Sequence, residues 1–147
     1  MNTKVTMHFT IEELCASTMA SKLSIPNKPG AREMINLVYL AAFVLEPLRQ
    51  AMGRPISISS GYRCEELNSK VGGVSNSQHL KGQAADICIN GDMSFGRQIF
   101  DHIRKNMDFD QLIWEHDRSG TYWVHVSFVF PDFGKNRKNV INNLEKK

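Results

Sequence analysis

Five residues have types and positions that could carry hydrolytic chemistry: His79, Asp86, His125, Glu115 and Arg63. His79 sits in Ser77-Gln78-His79-Leu80-Lys81-Gly82-Gln83-Ala84-Ala85-Asp86-Ile87, where a glycine turn and two alanines separate the histidine from an aspartate in an apolar run. A carboxylate there is costly to bury without a cation partner, and the small alanines leave room for something bulky. Taken alone, this His-Asp pair fits a metal site and a structural pairing equally. The third element is Trp123-Val124-His125-Val126-Ser127-Phe128. Strand alternation turns Val124, Val126 and Phe128 to the core and His125 with Ser127 to the other face. There His125 can meet His79 and Asp86. Two imidazoles and one carboxylate make a frequent catalytic zinc set with a fourth position open to water. A metal so held lowers the pKa of that water and polarises a carbonyl.

Hydrolysis also needs a base beside the water, and the turn Asp117-Arg118-Ser119-Gly120 bears on where it lies. Asp117 suits the first position of a type I turn, and Gly120 the left-handed residue of a three-residue hairpin loop. Counting back pairs Asp117 with Thr121, His116 with Tyr122, Glu115 with Trp123 and Ile113 with His125. Glu115 then shares the face of His125, one diagonal step or roughly 7–8 Å away. A loop of even length would turn Glu115 away and present His116 instead. Turn chemistry favours Glu115. Arg63 follows a strand end in Ser60-Gly61-Tyr62-Arg63 and could hold a carboxylate or an oxyanion, although position alone reads as a surface arginine. Trp114, Tyr122 and Trp123 could line a cleft, but strand aromatics more often pack. His8, His102 and His116 carry no such context.

The elements that must position these residues are legible in the pattern. Thr10-Ile11-Glu12-Glu13 matches a capping box and starts a short helix. A long helix is expected from Ala31 to Met52, with Met34, Leu37, Val38, Ala41, Leu45 and Leu48 along one stripe, a bend at Pro47 and a stop at Gly53. Residues 55–60 alternate as a half-buried strand, 65–71 form a short helix, 84–89 a strand and 93–105 an amphipathic helix. Strands over 111–115 and 121–128 complete the hairpin. Helices first and strands later predict an α+β domain, its antiparallel sheet covered by helices mainly on one face.

The 147 residues fit one domain, with a core over about 9–128 and a basic tail over 134–147. The net charge of +3 is mild, and Lys135, Arg137, Lys138, Lys146 and Lys147 supply much of it. That tail is read as a solubilising rim, so no nucleic-acid partner is expected. Cys15, Cys64 and Cys88 are odd in number and lack a CxxC pair, which predicts reduced thiols. Cys88 is read as a small filler near the site. No secretory leader and no membrane-spanning run is apparent, so the chain is expected to be made in the cytoplasm.

The run SGYRCEELNSKVGGVSNSQHLKGQAADI resembles the zinc D-Ala-D-Ala carboxypeptidase family, which includes phage endolysin peptidases and vancomycin-resistance dipeptidases. The stretch FDQLIWE…YWVHVSF is similar to that family's closing hairpin and to the zinc-site hairpin of the Hedgehog signalling domain, which shares the fold. The resemblance covers about Phe9 to Phe128. It implies one zinc on His79, Asp86 and His125, Glu115 as acid/base, Arg63 against substrate and Ser77 in support. Tyr122 and Trp123 are taken as substrate-side residues. Two departures stand out: Tyr122 replaces a base, and Trp123 a histidine, carried there by some relatives. The implied activity is hydrolysis of peptidoglycan stem or cross-link peptides containing D-amino acids, by a monomer of phage or prophage type that reaches the wall after release. The alternative is a catalytically inactive zinc-bearing module that binds cell wall or protein.

Overall fold

The computed structural model describes residues 3–143. Helix α1 (Ile11–Cys15) begins with the expected capping box: Thr10 accepts from the Glu13 amide, and the Glu13 carboxylate accepts from that of Thr10. A second short helix follows, α2 (Thr18–Lys22), capped by Ser17, which the sequence reading passed over.

The long helix forms as α3 (Ala31–Leu40), a π-helical turn (Ala41–Leu45) and α4 (Glu46–Met52), ending at Gly53. Proline lacks an amide and its ring crowds the carbonyl one turn back. Here the wider turn lies just ahead of Pro47, with the Glu46 amide bonded to the carbonyl of Ala41. Leu37, Ala41, Leu45 and Leu48 are buried as expected and are joined by Leu40 and Val44, whereas Val38 is exposed.

Five strands form one sheet in the order β1-β2-β4-β3-β5. They are β1 (Ser57–Ser60), β2 (Ala84–Cys88), β3 (Gln111–His116), β4 (Tyr122–Ser127) and β5 (Asn139–Asn142). Strands β1 to β4 pair antiparallel, and β5 lies parallel to β3. The α+β class with an antiparallel central sheet is therefore observed, extended by a parallel edge strand. That strand comes from the segment read as a solvated tail. Its anchor is Arg137, which binds the buried carboxylate of Asp110 through its backbone amide and its guanidinium. Lys146 and Lys147 lie outside the described residues.

Strand alternation gives the sheet two unlike faces. Ala85, Ile87, Leu112, Trp114, Val124 and Val126 are buried in one core with the long helix and with α6 (Met93–Asn106). The other face carries Asp86, Ile113, Glu115, Trp123 and His125 along a cleft. Helix α5 (Glu65–Lys70) follows the loop after β1, and a single 3-10 turn (Gln78–Lys81) leads into β2. Among the described residues, no helix is long and apolar enough to cross a membrane.

Candidate active site

His79 rides on the 3-10 turn, which is tied down on every side. Ser77 Oγ accepts from the His79 amide, Asn36 Nδ2 on α3 donates to the Lys81 carbonyl, and Gln78 Nε2 donates to Asp110. The turn closes at Gly82 with φ 73°, and a Cβ there would stand 2.5 Å from the Glu33 carbonyl oxygen. Only glycine combines that left-handed conformation with so close an approach. His79 Nδ1 lies 2.7 Å from the Gly61 carbonyl, which can only accept, so Nδ1 carries a proton and Nε2 is the atom turned to the site.

That nitrogen faces Asp86. His79 Nε2 is 3.4 Å, and His125 Nδ1 2.9 Å, from the same Asp86 oxygen. Asp86 and His125 are direct cross-strand partners on β2 and β4. The three potential ligand atoms lie within 4.8 Å of one another. Burial pushes the Asp86 carboxyl up, but hydrogen bonds and charge from the two imidazoles outweigh it and hold the group well below the usual carboxylate range. A half-buried carboxylate facing two imidazole nitrogens, one pre-oriented by a backbone carbonyl, fits a zinc ion. Ala84 and Ala85 precede Asp86 in the strand and are fully buried, Ala85 on the core face, and neither lines the cleft.

The hairpin forms in the predicted register: His116 faces Tyr122, Glu115 faces Trp123 and Ile113 faces His125. The Asp117 amide donates to the Thr121 carbonyl at 3.0 Å, and Gly120 takes φ 86°. Asp117 Oδ1 accepts from the amides of Ser119 and Thr121 and from the Ser119 hydroxyl, which locks the three-residue loop. Glu115 thus lies in the cleft on the His125 face, half-buried, with no hydrogen bond or ion pair among the described residues. His116 is exposed, against Tyr122.

Arg63 is held by a loop with its own scaffold. Asn27 donates to the carbonyls of Cys15 and Tyr62 and accepts from the Cys64 amide, and the Arg63 amide donates to the His79 carbonyl. The guanidinium lines the cleft and donates to Ser77 Oγ at 3.4 Å, while its Nε is buried without a partner among the described residues. Burial lowers its pKa and the Asp86 charge opposes that shift, but an arginine stays charged.

The cleft has a volume of about 710 Å³ and holds Arg63, Ser77, His79, Asp86, Glu115, Trp123 and His125 together. Tyr122 is the exception among the expected substrate-side residues. Alternation on β4 turns it to the face opposite His125, where its ring packs against Trp114 and His116. It lines a neighbouring cavity with Cys88, which lies outside the cleft around the metal ligands. All three cysteines are free thiols. Sequence reasoning missed Gln78, Asp110 and Arg137, because nothing local marks Asp110 as the buried acid that ties the other two together.

Fold and site together place a candidate metal centre, the His/Asp/His set, in one cleft with a free carboxylate on the same sheet face. The pattern of the Peptidase M15 family matches residues 7–127, most of the chain, and the protein belongs to that family. It is also similar to a zinc D-Ala-D-Ala carboxypeptidase of Streptomyces albus G, with 50% identity over 44 residues. That stretch covers 29% of this chain and 17% of the relative.

Proposed function

We propose that this protein is a zinc peptidase that hydrolyses peptide bonds in bacterial peptidoglycan, in stem or cross-link peptides containing D-amino acids. The observation that carries the reading is the convergence of His79, Asp86 and His125 in one cleft with Glu115 on the same sheet face. The likeness to a zinc D-Ala-D-Ala carboxypeptidase supports the substrate class. Bound by those three side chains, zinc would supply a Lewis acid that acidifies water and polarises a carbonyl.

The remaining roles fall to the chain's own groups. Glu115 accepts a proton from the attacking water and returns it to the nitrogen of the leaving amine. Arg63 holds a substrate carboxylate or the developing oxyanion, steadied by Ser77. Trp123 forms an apolar wall that orients the peptide.

Mass analysis of purified peptidoglycan fragments after digestion tests this reading. Cleavage at stem or cross-link peptide bonds is expected, abolished by a chelator and restored by zinc. Fragments that stay intact while the protein binds them would replace the enzyme with a zinc-bearing wall-binding module.

A further inference from the structure

The cleft holds a second fixed guanidinium that the mechanism above does not use. Arg137 lines the same cleft as Arg63 but comes from the β5 edge of the sheet, whereas Arg63 follows β1 at the other edge. The strands carrying Asp86, His125 and Glu115 lie between those edges. Arg137 also stands beyond residues 7–127, the part of the chain that the family pattern matches.

Its geometry is that of a side chain built to present donors. Nε and Nη2 donate to the two oxygens of Asp110 at 3.0 and 2.8 Å, a bidentate fork. The Arg137 amide and Gln78 Nε2 also donate to that carboxylate. Asp110 is buried, with its side chain 3% exposed, whereas the Arg137 side chain is 62% exposed. The acid is therefore spent inside the protein, while the guanidinium keeps its outer edge free. A guanidinium has five N–H groups, and two go to Asp110, leaving three to face outward. Lys81 lines the same cleft and adds a further cation. Asp86, one of the cleft's two carboxylates, is engaged by two imidazoles.

We infer that Arg137 is a specificity-determining residue that binds a second carboxylate of the peptide substrate, separate from the group held by Arg63. The preferred substrate is then an acidic peptide with a free side-chain carboxylate at a distance from the scissile bond. The inference rests on the peptidase reading for its ligand class. A pre-organised fork loses little entropy on meeting a carboxylate, which offsets the part of the attraction that the Asp110 charge beneath it removes.

The test uses two peptides ending in D-alanine, identical except that one carries a free side-chain carboxylate and the other its carboxamide. Affinity for each is measured by calorimetry on the zinc-loaded full chain, alongside hydrolysis rates. The wild type should bind the acid about tenfold more tightly than the amide, a charge-assisted contact discounted for solvent. Arg137→Gln keeps an amide donor toward Asp110 and should abolish the preference, with zinc content and affinity for the amide unchanged. Arg137→Lys keeps the charge without the fork and should retain part of the preference. Equal binding of both peptides by the wild type would overturn the inference, as would a preference that survives in Arg137→Gln. A parallel loss for both peptides would reduce Arg137 to structural support and overturn it as well. Hydrolysis of both peptides without preference would leave the peptidase reading standing, whereas preferential binding without hydrolysis would sink that reading and keep the second carboxylate site.

Discussion

Replacing Glu115 by glutamine separates catalysis from architecture at one atom. The substitution preserves size and hydrogen bonding but removes the proton acceptor. Glu115 faces Trp123 and stands one diagonal from His125, roughly 7–8 Å in a pleated sheet, within reach of a water beside the metal ligands. Its carboxylate has no protein partner among the described residues, so no internal bond is lost. The strand ladder is backbone, and the stability change should stay within about 0.5 kcal/mol. Loss of a general base costs about 10²–10⁴-fold in rate. At 1.36 kcal/mol per decade, the barrier rises by about 2.7–5.4 kcal/mol. The two scales differ by several-fold, so one variant can answer the question. Stem-peptide hydrolysis should be followed as kcat and kcat/KM, with zinc content and thermal midpoint measured on the same samples. Zinc content and midpoint should match the wild type while kcat collapses. Equal turnover by Glu115→Gln would place the base elsewhere and refute the argument from hairpin register.

Other perturbations probe the remaining parts. His125→Ala removes one of three ligands and should lose most of the zinc found by elemental analysis; full retention would break the ligand assignment. Arg63→Ala should keep fold and zinc but lose roughly ten- to a hundredfold in kcat/KM, and unchanged kinetics would return Arg63 to a bystander. Gly96→Ala would drive a methyl group into the Trp114 ring and to 2.8 Å from Ile89 Cδ1, which should cost about 1–3 kcal/mol by denaturant unfolding. An unchanged midpoint there would mean that α6 does not press so closely on the sheet. Burial raises the Glu46 carboxyl pKa, but hydrogen bonds from the His8 ring, the His8 amide and Gln50 outweigh that and bring it from 4.5 to about 2. Its folded pKa is depressed, so its stabilisation is present above 4.5 and fades as pH falls through 2. The stability gap between wild type and Glu46→Gln should therefore shrink across that window, and a constant gap would refute the assignment.

Much of the site was legible in the residues themselves because its determinants are local. Period-two alternation over 123–128 sends His125 away from the core whatever the rest of the fold does. The Asp117–Gly120 turn favours a three-residue loop over one of even length, and loop length dictates register, so the face of Glu115 was legible in the turn chemistry. The aspartate in an apolar run called for a partner, and two imidazoles meet it.

What escaped depends on contacts between distant segments. Val38 lies at the margin of the α3 stripe, and only the packing of the neighbouring elements decided that Leu37 and Leu40 face the core while Val38 stays exposed. Tyr122 was drawn toward the substrate by its neighbours, although the alternation that places His125 in the cleft also removes Tyr122 from it. Strand β5 is only four residues, a Val140–Ile141 pair between asparagines that is too short to show alternation, and it forms because β3 offers an unpaired edge and Asp110 captures Arg137. Local sequence thus determined which residues could bind metal and move a proton, since side-chain periodicity and turn geometry are properties of neighbours along the chain. Only the tertiary structure decided what surrounds them, because a buried acid such as Asp110 takes its meaning from donors 32 and 27 positions away.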